Sequence, residues 1–240
     1  MTLRSTISTA EGKRRYVRQL FSTIADRYDF ITGFLSYGQD RRWKRRLIDL
    51  AAAGPSDRVL DLACGTGDLL LAAAERARLV IGLDITHRML QLARSRRGSI
   101  ENFALVTGDM LALPFLDGHF DVVTTGYGLR NVPDLRMALN EIHRVLAPGG
   151  RFLSLDFNRP TNSMVRTAYL FYLTVVGSAL GMILHRDPDT YRYIPESIRL
   201  YPGAASVGGV MGEIGFADVR VLPVFGGLMA IHTARKQTTL

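Results

Sequence analysis

An apolar run that opens into a glycine loop is the feature that most constrains how this chain folds. Arg58–Leu62 predicts a buried parallel strand, and Gly65 and Gly67 follow it in the sequence Ala-Cys-Gly-Thr-Gly-Asp. Glycines let a ligand approach the backbone because they have no Cβ. The helix-forming stretch Leu69–Glu75 comes next, and a second apolar run, Leu79–Asp84, ends in a carboxylate. Strand, glycine loop, helix, strand and acid in this order are typical of a site for an adenosine-containing cofactor.

The residues around the loop favour a cationic ligand over a dinucleotide. A dinucleotide fingerprint has a third glycine where this chain has Leu70. Asp61 precedes the loop and Asp68 follows it, and these two carboxylates would repel a pyrophosphate. S-adenosylmethionine carries an ammonium and a sulfonium and no phosphate, so the acids favour it over NAD. The alternative is a strand-to-helix turn that binds nothing.

The predicted cofactor contacts lie at the ends of successive apolar runs. We expect Asp61 to lie near the ammonium and Asp84 to bind the ribose hydroxyls. Asp109 follows the apolar run 102–107, which places it beside the adenine edge together with Met110. The full predicted cofactor-binding set is Asp61, Gly65, Thr66, Gly67, Asp84, Asp109, Met110 and Gly126.

Strands and helices alternate through most of the chain. Beyond the first three apolar runs, the pattern predicts a strand at Phe120–Thr125, a helix at Leu135–Leu146 ended by Pro148-Gly149-Gly150, a strand at Arg151–Asp156, and a hairpin of Ala217–Leu222 with Leu228–Thr233. Alternation of this kind implies a mostly parallel sheet with helices on both faces. The expected fold is therefore α/β and Rossmann-like, with seven strands and a C-terminal antiparallel hairpin.

The first 50 residues precede the first predicted strand and carry an amphipathic pattern. Apolar residues at alternating spacings of three and four are Val17, Leu20, Phe21, Ile24 and Tyr28. This spacing gives one apolar helical face, which either covers the sheet or, together with a loop over Tyr28–Trp43, forms one wall of a substrate pocket.

The stretch Thr167–Leu184 contains no charged residue. Its length is at the lower limit for a membrane-spanning helix, and three interpretations remain open: a spanning helix, a core helix, or an apolar lid over the active site. Its position between the fifth strand and the hairpin favours the lid. We therefore predict an N-terminal helical cap at 1–50, a core formed by 51–158 and 212–236, and a lid insertion at 159–211. The first few residues and the tail after Lys236 are predicted to be disordered.

Charge and cysteine content narrow the range of partners. The formal net charge is +8, and cationic residues cluster at 13–18 and around Trp43, at Arg41, Arg42, Lys44, Arg45 and Arg46. With the apolar stretch, this favours peripheral contact with an anionic membrane, and no nucleic-acid-binding signature is visible. Cys64 is the only cysteine, no signal peptide opens the chain, and no metal-ligand spacing is visible. These features predict a cytoplasmic protein on the inner face of a membrane, without a metal; a homo-oligomer remains open.

Successive segments resemble the motifs of class I S-adenosylmethionine-dependent methyltransferases. These segments are Leu60–Asp68, Gly108–Phe115, Phe120–Asp121 and Leu146–Gly150. Three more specific segments are similar to signatures of the ubiquinone/menaquinone biosynthesis C-methyltransferases: Tyr28–Trp43, Gly128–Val132, and Tyr191–Ile198 with Tyr201-Pro202. The resemblance covers nearly the whole chain, from Ala25 to Lys236.

This resemblance implies methylation of a ring carbon of a lipophilic prenylated quinol, with Tyr28, Arg130 and Asn131 at the substrate. An arginine side chain stays protonated, so we expect Arg130 to stabilise a phenolate or to orient a water. Asp109 is a candidate proton acceptor, and the identity of the acceptor stays open. The alternative for Arg130 is a salt bridge to a nearby acid such as Asp134.

The chain departs from the family pattern at three positions, which are Thr32, Gly33 and Gly126. The family has Asn-Asp at the first two and typically a serine at the third. These departures leave open a methyltransferase for another small or lipophilic acceptor, and a non-catalytic lipid- or partner-binding protein on the same fold.

Overall fold

Seven strands form one sheet at the centre of the molecule. The computed structural model describes residues 3–238, apart from the side chain of Arg4. The strands are β1 (Arg58–Leu62), β2 (Leu79–Asp84), β3 (Phe103–Thr107), β4 (Phe120–Gly126), β5 (Leu146–Phe157), β6 (Phe216–Val224) and β7 (Met229–Lys236). Their order in the sheet is β3-β2-β1-β4-β5-β7-β6, with β1 to β5 parallel and β7 antiparallel to both neighbours. The predicted seven-stranded sheet with an antiparallel hairpin is confirmed.

The order of the strands places a crevice beside β1. The chain runs from β1 outward to β3 and then returns to β4 on the other side of β1. The loops after β1 and β4 therefore separate at the carboxyl edge of the sheet, which is where ligands bind in open α/β sheets.

Helices cover both faces of the sheet and extend beyond its carboxyl edge. They are α1 (Leu3–Ile7), α2 (Ala10–Ile24), α3 (Tyr28–Leu35), α4 (Asp40–Ala51), α5 (Asp68–Ala74), α6 (His87–Ser95), α7 (Leu135–Val145), α8 (Ser163–His185), α9 (Asp189–Leu200) and α10 (Ala204–Ile214). Short 3₁₀ turns occur at Ala25–Arg27, Leu129–Asn131 and Phe225–Gly227. Most predicted boundaries differ from these by a residue or two, as expected for fraying element ends.

Strand β5 is longer than the sequence predicted. Pro148-Gly149-Gly150 lies within it as a bulge, because Leu146 already pairs with Phe120 while Arg151 pairs with the next position but one on β4. Gly149 has φ +77° and an added Cβ on Gly150 would lie 2.8 Å from the Ala147 carbonyl oxygen, so this tight excursion requires glycine. Helix α7 ends at Val145, before the proline.

The segment Tyr28–Trp43 is helical except for a turn at Ser36–Gln39, which corrects the predicted loop. Tyr28 begins α3, and Trp43 lies in α4. The predicted amphipathic helix is confirmed as α2, where Val17, Leu20 and Ile24 are buried. Tyr28 is not part of α2 because the 3₁₀ turn Ala25–Arg27 separates them.

Helix α8 contains the uncharged stretch and lies against α9. Within residues 3–238 it is the one helix that is long and apolar enough to cross a membrane by those two criteria alone. Only 28% of its most apolar window is buried, so it is not an ordinary core helix. The chain then returns through α9 and α10 to the hairpin that completes the sheet, which disfavours a spanning helix.

The ends of the chain and of the predicted insertion differ from expectation. Leu3–Ile7 forms α1 and Ile7 is buried, so the prediction of disorder is wrong there, while residues 1–2 and 239–240 lie outside the described residues. The predicted boundary at 211 and 212 falls inside α10. Val207 and Met211 of that helix belong to the same hydrophobic cluster as Phe152 on β5, so α10 packs with the core.

Candidate active site

The loop after β1 is tied to the end of β2 by backbone hydrogen bonds. The Gly65 N–H donates to Asp84 Oδ2 at 2.9 Å, and the Cys64 N–H donates to the Leu83 carbonyl at 3.1 Å. Gly65 has φ +53° and Gly67 φ +92°, a left-handed conformation that favours glycine. An added Cβ on Gly67 would lie 3.2 Å from the Cβ of Ala93. Gly67 therefore packs the loop against α6, and of the two loop glycines it is Gly65 that lines the cleft.

The cleft beside this loop brings together most of the predicted cofactor contacts. Predicted residues in its lining are Gly65, Asp84, Asp109, Met110 and Gly126, together with Tyr28 and Asn131. A smaller compartment continues from it and is lined by Asp61, Thr66, Lys44, Tyr28 and Tyr127, among others. Helix α2 covers the outer side of the cleft through Arg14, Val17 and Phe21. The compartment and the cleft are continuous, because Tyr28, Ala63, Gly65, Gly126 and Tyr127 line both.

Asp61 lines the smaller compartment and has one carboxylate oxygen without a hydrogen-bond partner. Its Oδ1 accepts a hydrogen bond from Thr124 Oγ1 at 2.9 Å, whereas Oδ2 is buried without a partner. Burial raises the pKa of this carboxyl to about 7, although the Thr124 hydrogen bond, the Lys44 charge and the nearby Leu70 backbone N–H oppose the shift. A buried, unsatisfied acceptor is costly, so this oxygen fits the ammonium of an amino acid tail.

Asp84 is oriented by two backbone donors and keeps capacity for more. Its Oδ2 accepts from Gly65 and its Oδ1 from the Thr86 N–H at 2.8 Å. Burial raises its pKa to about 6 against these hydrogen bonds. A carboxylate has about four lone-pair positions, so Asp84 can also accept from two ribose hydroxyls.

Asp109 lies on the cofactor side of the site. Its Oδ2 pairs with Arg14 Nε at 2.9 Å and its Oδ1 accepts from the Leu111 N–H at 2.9 Å. It lines the cleft with Met110 and does not line the apolar cavity that contains Arg130. The structure therefore separates Asp109 from Arg130 and disfavours its predicted role as proton acceptor, because its carboxylate is engaged by Arg14.

Lys44 was assigned by sequence to a lipid-facing cluster, and that assignment is wrong. Its side chain is 11% exposed and its Nζ pairs with Asp40 at 2.7 Å and Asp68 at 2.8 Å. The Tyr127 hydroxyl donates to the same Asp40 at 2.5 Å. Burial lowers the pKa of Lys44, but the neighbouring negative charges outweigh burial and raise it overall. Trp43 is also buried, so the exposed cations of α4 are its arginines. The sequence did carry one indication of the ion pair between Asp40 and Lys44, which is that the two residues are four apart in a helix.

A second cavity of about 500 Å³ adjoins the cleft. Its lining is almost entirely apolar and aromatic, and it comes from α2, α3, α8, α9 and the carboxyl edge of the sheet. Residues of α8 in the lining are Val165, Ala168, Tyr169, Tyr172 and Leu173. Arg130 is the one guanidinium in the described lining, and Tyr28 and Tyr127 lie on the walls of both this cavity and the cleft.

Arg130 is held in the cavity wall by contacts on several sides. Its backbone N–H donates to Asp156 Oδ2 at 3.0 Å, and its Nε lies 3.3 Å from Asp156 Oδ1. Its guanidinium also donates to Ser197 Oγ and lies 4.9 Å from the centre of the Phe157 ring. The predicted salt bridge to an acid is present, and the acid is Asp156. Asp134, the example named from the sequence, instead caps α7 by accepting from the Met137 N–H.

Tyr28 borders both the cofactor cleft and the apolar cavity, whereas Asn131 lines the cleft and not the cavity. The Asn131 amide donates to the Tyr127 carbonyl at 2.7 Å, and its oxygen accepts from the Tyr193 hydroxyl at 2.9 Å. Both ends of this amide are thus used to hold aromatic walls in place. Burial raises the pKa of Tyr28 to about 12, so its hydroxyl keeps its proton at neutral pH.

The three departures from the family pattern lie at different places. Thr32 lines the apolar cavity and donates to the Tyr28 carbonyl at 2.9 Å, whereas the Cβ position of Gly33 has nothing within 4 Å. An added Cβ on Gly126 would lie 3.1 Å from Leu69 Cδ1, so a serine there would require Leu69 to shift.

Within the described chain, His, Cys, Asp and Glu form no group arranged to hold a metal ion.

Several solved methyltransferase structures share the fold of this chain. The chain matches a possible histamine N-methyltransferase of Thermotoga maritima with a TM-score of 0.66 at 18% identity, covering 92% of this chain and all of that one. It also matches phosphoethanolamine N-methyltransferase 2 of Haemonchus contortus, solved with S-adenosyl-L-methionine, with a TM-score of 0.61 at 16% identity, over 82% of this chain and 53% of that one. At these levels of identity the two likenesses show that this chain shares the fold of methyltransferases.

The sequence comparisons identify the family. The profile of the ubiE/COQ5 methyltransferase family matches residues 9–236. Ubiquinone/menaquinone biosynthesis C-methyltransferase UbiE of Teredinibacter turnerae is 40% identical over 96% of this chain and 95% of that protein, and UbiE of Shewanella frigidimarina is 37% identical over 95% and 93%. The chain therefore belongs to the ubiE/COQ5 methyltransferase family.

Proposed function

We propose that this enzyme methylates a ring carbon of a prenylated quinol, either demethylmenaquinol or 2-methoxy-6-polyprenyl-1,4-benzoquinol. The observation that carries the proposal is the apolar cavity of about 500 Å³, which shares the walls Tyr28 and Tyr127 with the cofactor cleft. A cavity with an apolar lining and a single guanidinium suits an oily molecule that carries one polar ring. The names of the similar UbiE proteins support the same acceptor class.

Arg130 is the group we assign to the reacting ring. When bound, S-adenosylmethionine supplies a methyl group that is activated by its positive sulfur. The ring carbon is electron-rich once the neighbouring phenol has released its proton to solvent water before the ring enters the cavity, and the Arg130 guanidinium would then hydrogen-bond the phenolate oxygen. Arg130 stays protonated, and its pairing with Asp156 fixes its position before the substrate arrives. The apolar walls exclude water, which strengthens this interaction.

The remaining proposed contacts lie around the cofactor cleft, its smaller compartment and the border with the apolar cavity. Asp84 binds the ribose, Asp109 and Met110 lie at the adenine, and Asp61 with Gly65 and Thr66 faces the methionine end, in agreement with the lining of the cleft and its compartment. Tyr28 lies between donor and acceptor, where its ring orients the quinol. Asn131 positions Tyr127 and Tyr193 through its two hydrogen bonds.

The chain comprises a methyltransferase core and a cap that builds the acceptor cavity. Helices α1 to α4 and α8 to α9 form the cap, and all but α1 contribute residues to the cavity or the cleft. Because α10 packs with the core, the inserted part of the cap ends with α9 rather than at residue 211.

The acceptor reaches the cavity from an anionic membrane, with which the cap associates peripherally on the cytoplasmic side. Large apolar side chains are exposed on α8, where Met164, Phe171, Val175 and Met182 lie along one stripe, and on α3 at Phe30. Exposed apolar patches of this kind mark interaction sites. The +8 charge favours a negatively charged surface.

Tritiated methyl transfer tests the proposal. The purified chain is incubated with labelled S-adenosylmethionine and with each of the two demethylated quinols, carrying short prenyl tails and kept reduced. We expect label on the ring of at least one quinol. Tight binding of S-adenosylmethionine without labelling of either quinol would favour a different lipophilic acceptor. Absence of binding by calorimetry would instead indicate a non-catalytic protein on this fold.

A further inference from the structure

A buried ammonium lies on the wall of the small compartment next to the glycine loop. Lys44 belongs to α4, outside the methyltransferase core, yet its side chain reaches the compartment that Asp61, Gly65 and Thr66 also line. The residue is only 9% exposed. Burying an ammonium is costly unless it is paired and hydrogen-bonded, so the arrangement of its partners indicates what the site is built for.

Two of the three N–H groups of Lys44 are accounted for. Asp40 accepts one at 2.7 Å and Asp68 accepts another at 2.8 Å. An ammonium has three donors, and the contacts of the described residues supply no acceptor for the third. The Tyr127 ring lies beside the ammonium, with its centre 5.6 Å from Nζ.

The two acids that hold Lys44 are themselves shared with other donors. Asp40 also accepts from the Tyr127 hydroxyl, and Asp68 pairs with Arg96 Nη2 at 2.6 Å. Two carboxylates therefore face two cations and a hydroxyl, so the formal charges of these four ionised side chains cancel. A further anion can approach the third N–H.

Asp61 supplies a hydrogen-bond acceptor in the same compartment. Its Oδ2 is a buried acceptor without a donor, and it lines the same compartment as Lys44, whose third N–H is a donor without an acceptor. The α-amino acid end of S-adenosylmethionine carries one ammonium and one carboxylate. One unpaired acceptor and one unpaired donor in a single compartment match these two groups.

We propose that Lys44 binds the α-carboxylate of the methionine moiety of S-adenosylmethionine, while Asp61 binds its α-ammonium. The interaction joins α4 of the cap to the core through the ligand. The inference rests on the cofactor and not on the acceptor, so failure of quinol methylation would leave it intact.

Decarboxylated S-adenosylmethionine provides the direct test, since it keeps the nucleoside, the sulfonium and the ammonium and lacks only the carboxylate. Calorimetry measures the affinity of both ligands for the wild type and for Lys44→Met. We expect Lys44→Met to weaken S-adenosylmethionine binding by about ten- to hundredfold, as for loss of a hydrogen bond between charged groups. Binding of the decarboxylated ligand should change by less than about twofold, because it makes no contact that the variant removes.

Lys236→Met is the matched control, because Lys236 is a partly buried lysine that donates to the Leu146 carbonyl at 2.8 Å on another part of the sheet. It should leave both affinities unchanged. Lys44→Gln, which keeps donors for Asp40 and Asp68, serves if Lys44→Met does not fold and should show the same selective loss. Equal weakening of both ligands, or no weakening of either, would overturn the proposal and leave Lys44 with a structural role between α4 and α5.

Discussion

Replacement of Asp61 by asparagine should stabilise the protein at alkaline pH while disabling cofactor binding. Asp61 is buried, and its carboxyl titrates at about 7 in the folded chain compared with 3.8 for an unperturbed aspartate. The folded state therefore resists ionisation of this group more than the unfolded state does. Its contribution to stability is fully present below about pH 4 and is lost as the pH rises through 7.

The size of the effect follows from the same two values. The interval from 3.8 to about 7, at about 1.4 kcal/mol for each pH unit, corresponds to about 4 kcal/mol of unfavourable free energy when Asp61 is charged. Asparagine never carries that charge and can still accept from Thr124. Its amide N–H₂ replaces the unpaired oxygen, at a cost of about 1–3 kcal/mol that does not depend on pH. The pH-dependent part of the difference between variant and wild type is thus the diagnostic quantity.

Urea unfolding at intervals between pH 5 and pH 8 measures this quantity. We expect the free energy of unfolding of Asp61→Asn, relative to the wild type, to rise by about 2–3 kcal/mol over this range. Asp49→Asn is the control, because Asp49 is an exposed carboxylate of α4 paired with Arg76, and exposed pairs contribute little. In the same preparations, affinity for S-adenosylmethionine at pH 8 should fall by about tenfold or more in Asp61→Asn. If the difference in unfolding free energy between Asp61→Asn and the wild type does not change with pH, Asp61 is not a buried carboxylate that ionises unfavourably in the absence of a bound cation.

Three further outcomes are expected. Asp84→Ala should weaken S-adenosylmethionine binding by about tenfold or more, and unchanged affinity in calorimetry would show that the ribose lies elsewhere. Arg130→Gln should reduce turnover by about a hundredfold while changing cofactor affinity by less than about twofold. Arg130→Lys should recover part of the lost turnover, and the exposed Arg136→Gln should have no effect. Full activity of Arg130→Gln would show that Arg130 has only a structural role. Phe171→Asp with Met182→Asp should abolish co-sedimentation with anionic vesicles yet preserve methylation of a short-tailed quinol in solution, whereas unaltered sedimentation would exclude this face of α8 as the membrane contact.

Local patterns in the sequence were sufficient for the core of the fold. Strands β1 and β2 have the predicted limits because each is a short apolar run bounded by charged residues or the glycine loop. The acids at their ends fall at the cleft because parallel strands share a carboxyl edge. The bulge in β5 escaped prediction because Pro148-Gly149-Gly150 signals a break, and the pairing of Leu146 with Phe120 that includes it in the strand is a long-range contact.

Contacts between distant segments account for the errors at the site. The partner of Arg130 is Asp156, which becomes a neighbour only because β5 lies beside β4, so proximity in sequence pointed wrongly to Asp134. Lys44 resembled its exposed arginine neighbours in composition, and only the packing of α4 against α5 turned it inward. Sequence alone supplied the residue types and the approximate chemistry, whereas the pairing of charges required the tertiary structure.

Helix α2 lines both the cofactor cleft and the apolar cavity, and this has a thermodynamic consequence. Its residues Arg14 and Val17 face the cofactor cleft, Leu20 and Ile24 face the acceptor cavity, and Phe21 borders both. A rigid helix cannot retreat from one ligand without altering the space offered to the other. Any factor by which the donor changes the affinity for the acceptor must therefore be matched by an equal effect of the acceptor on the affinity for the donor.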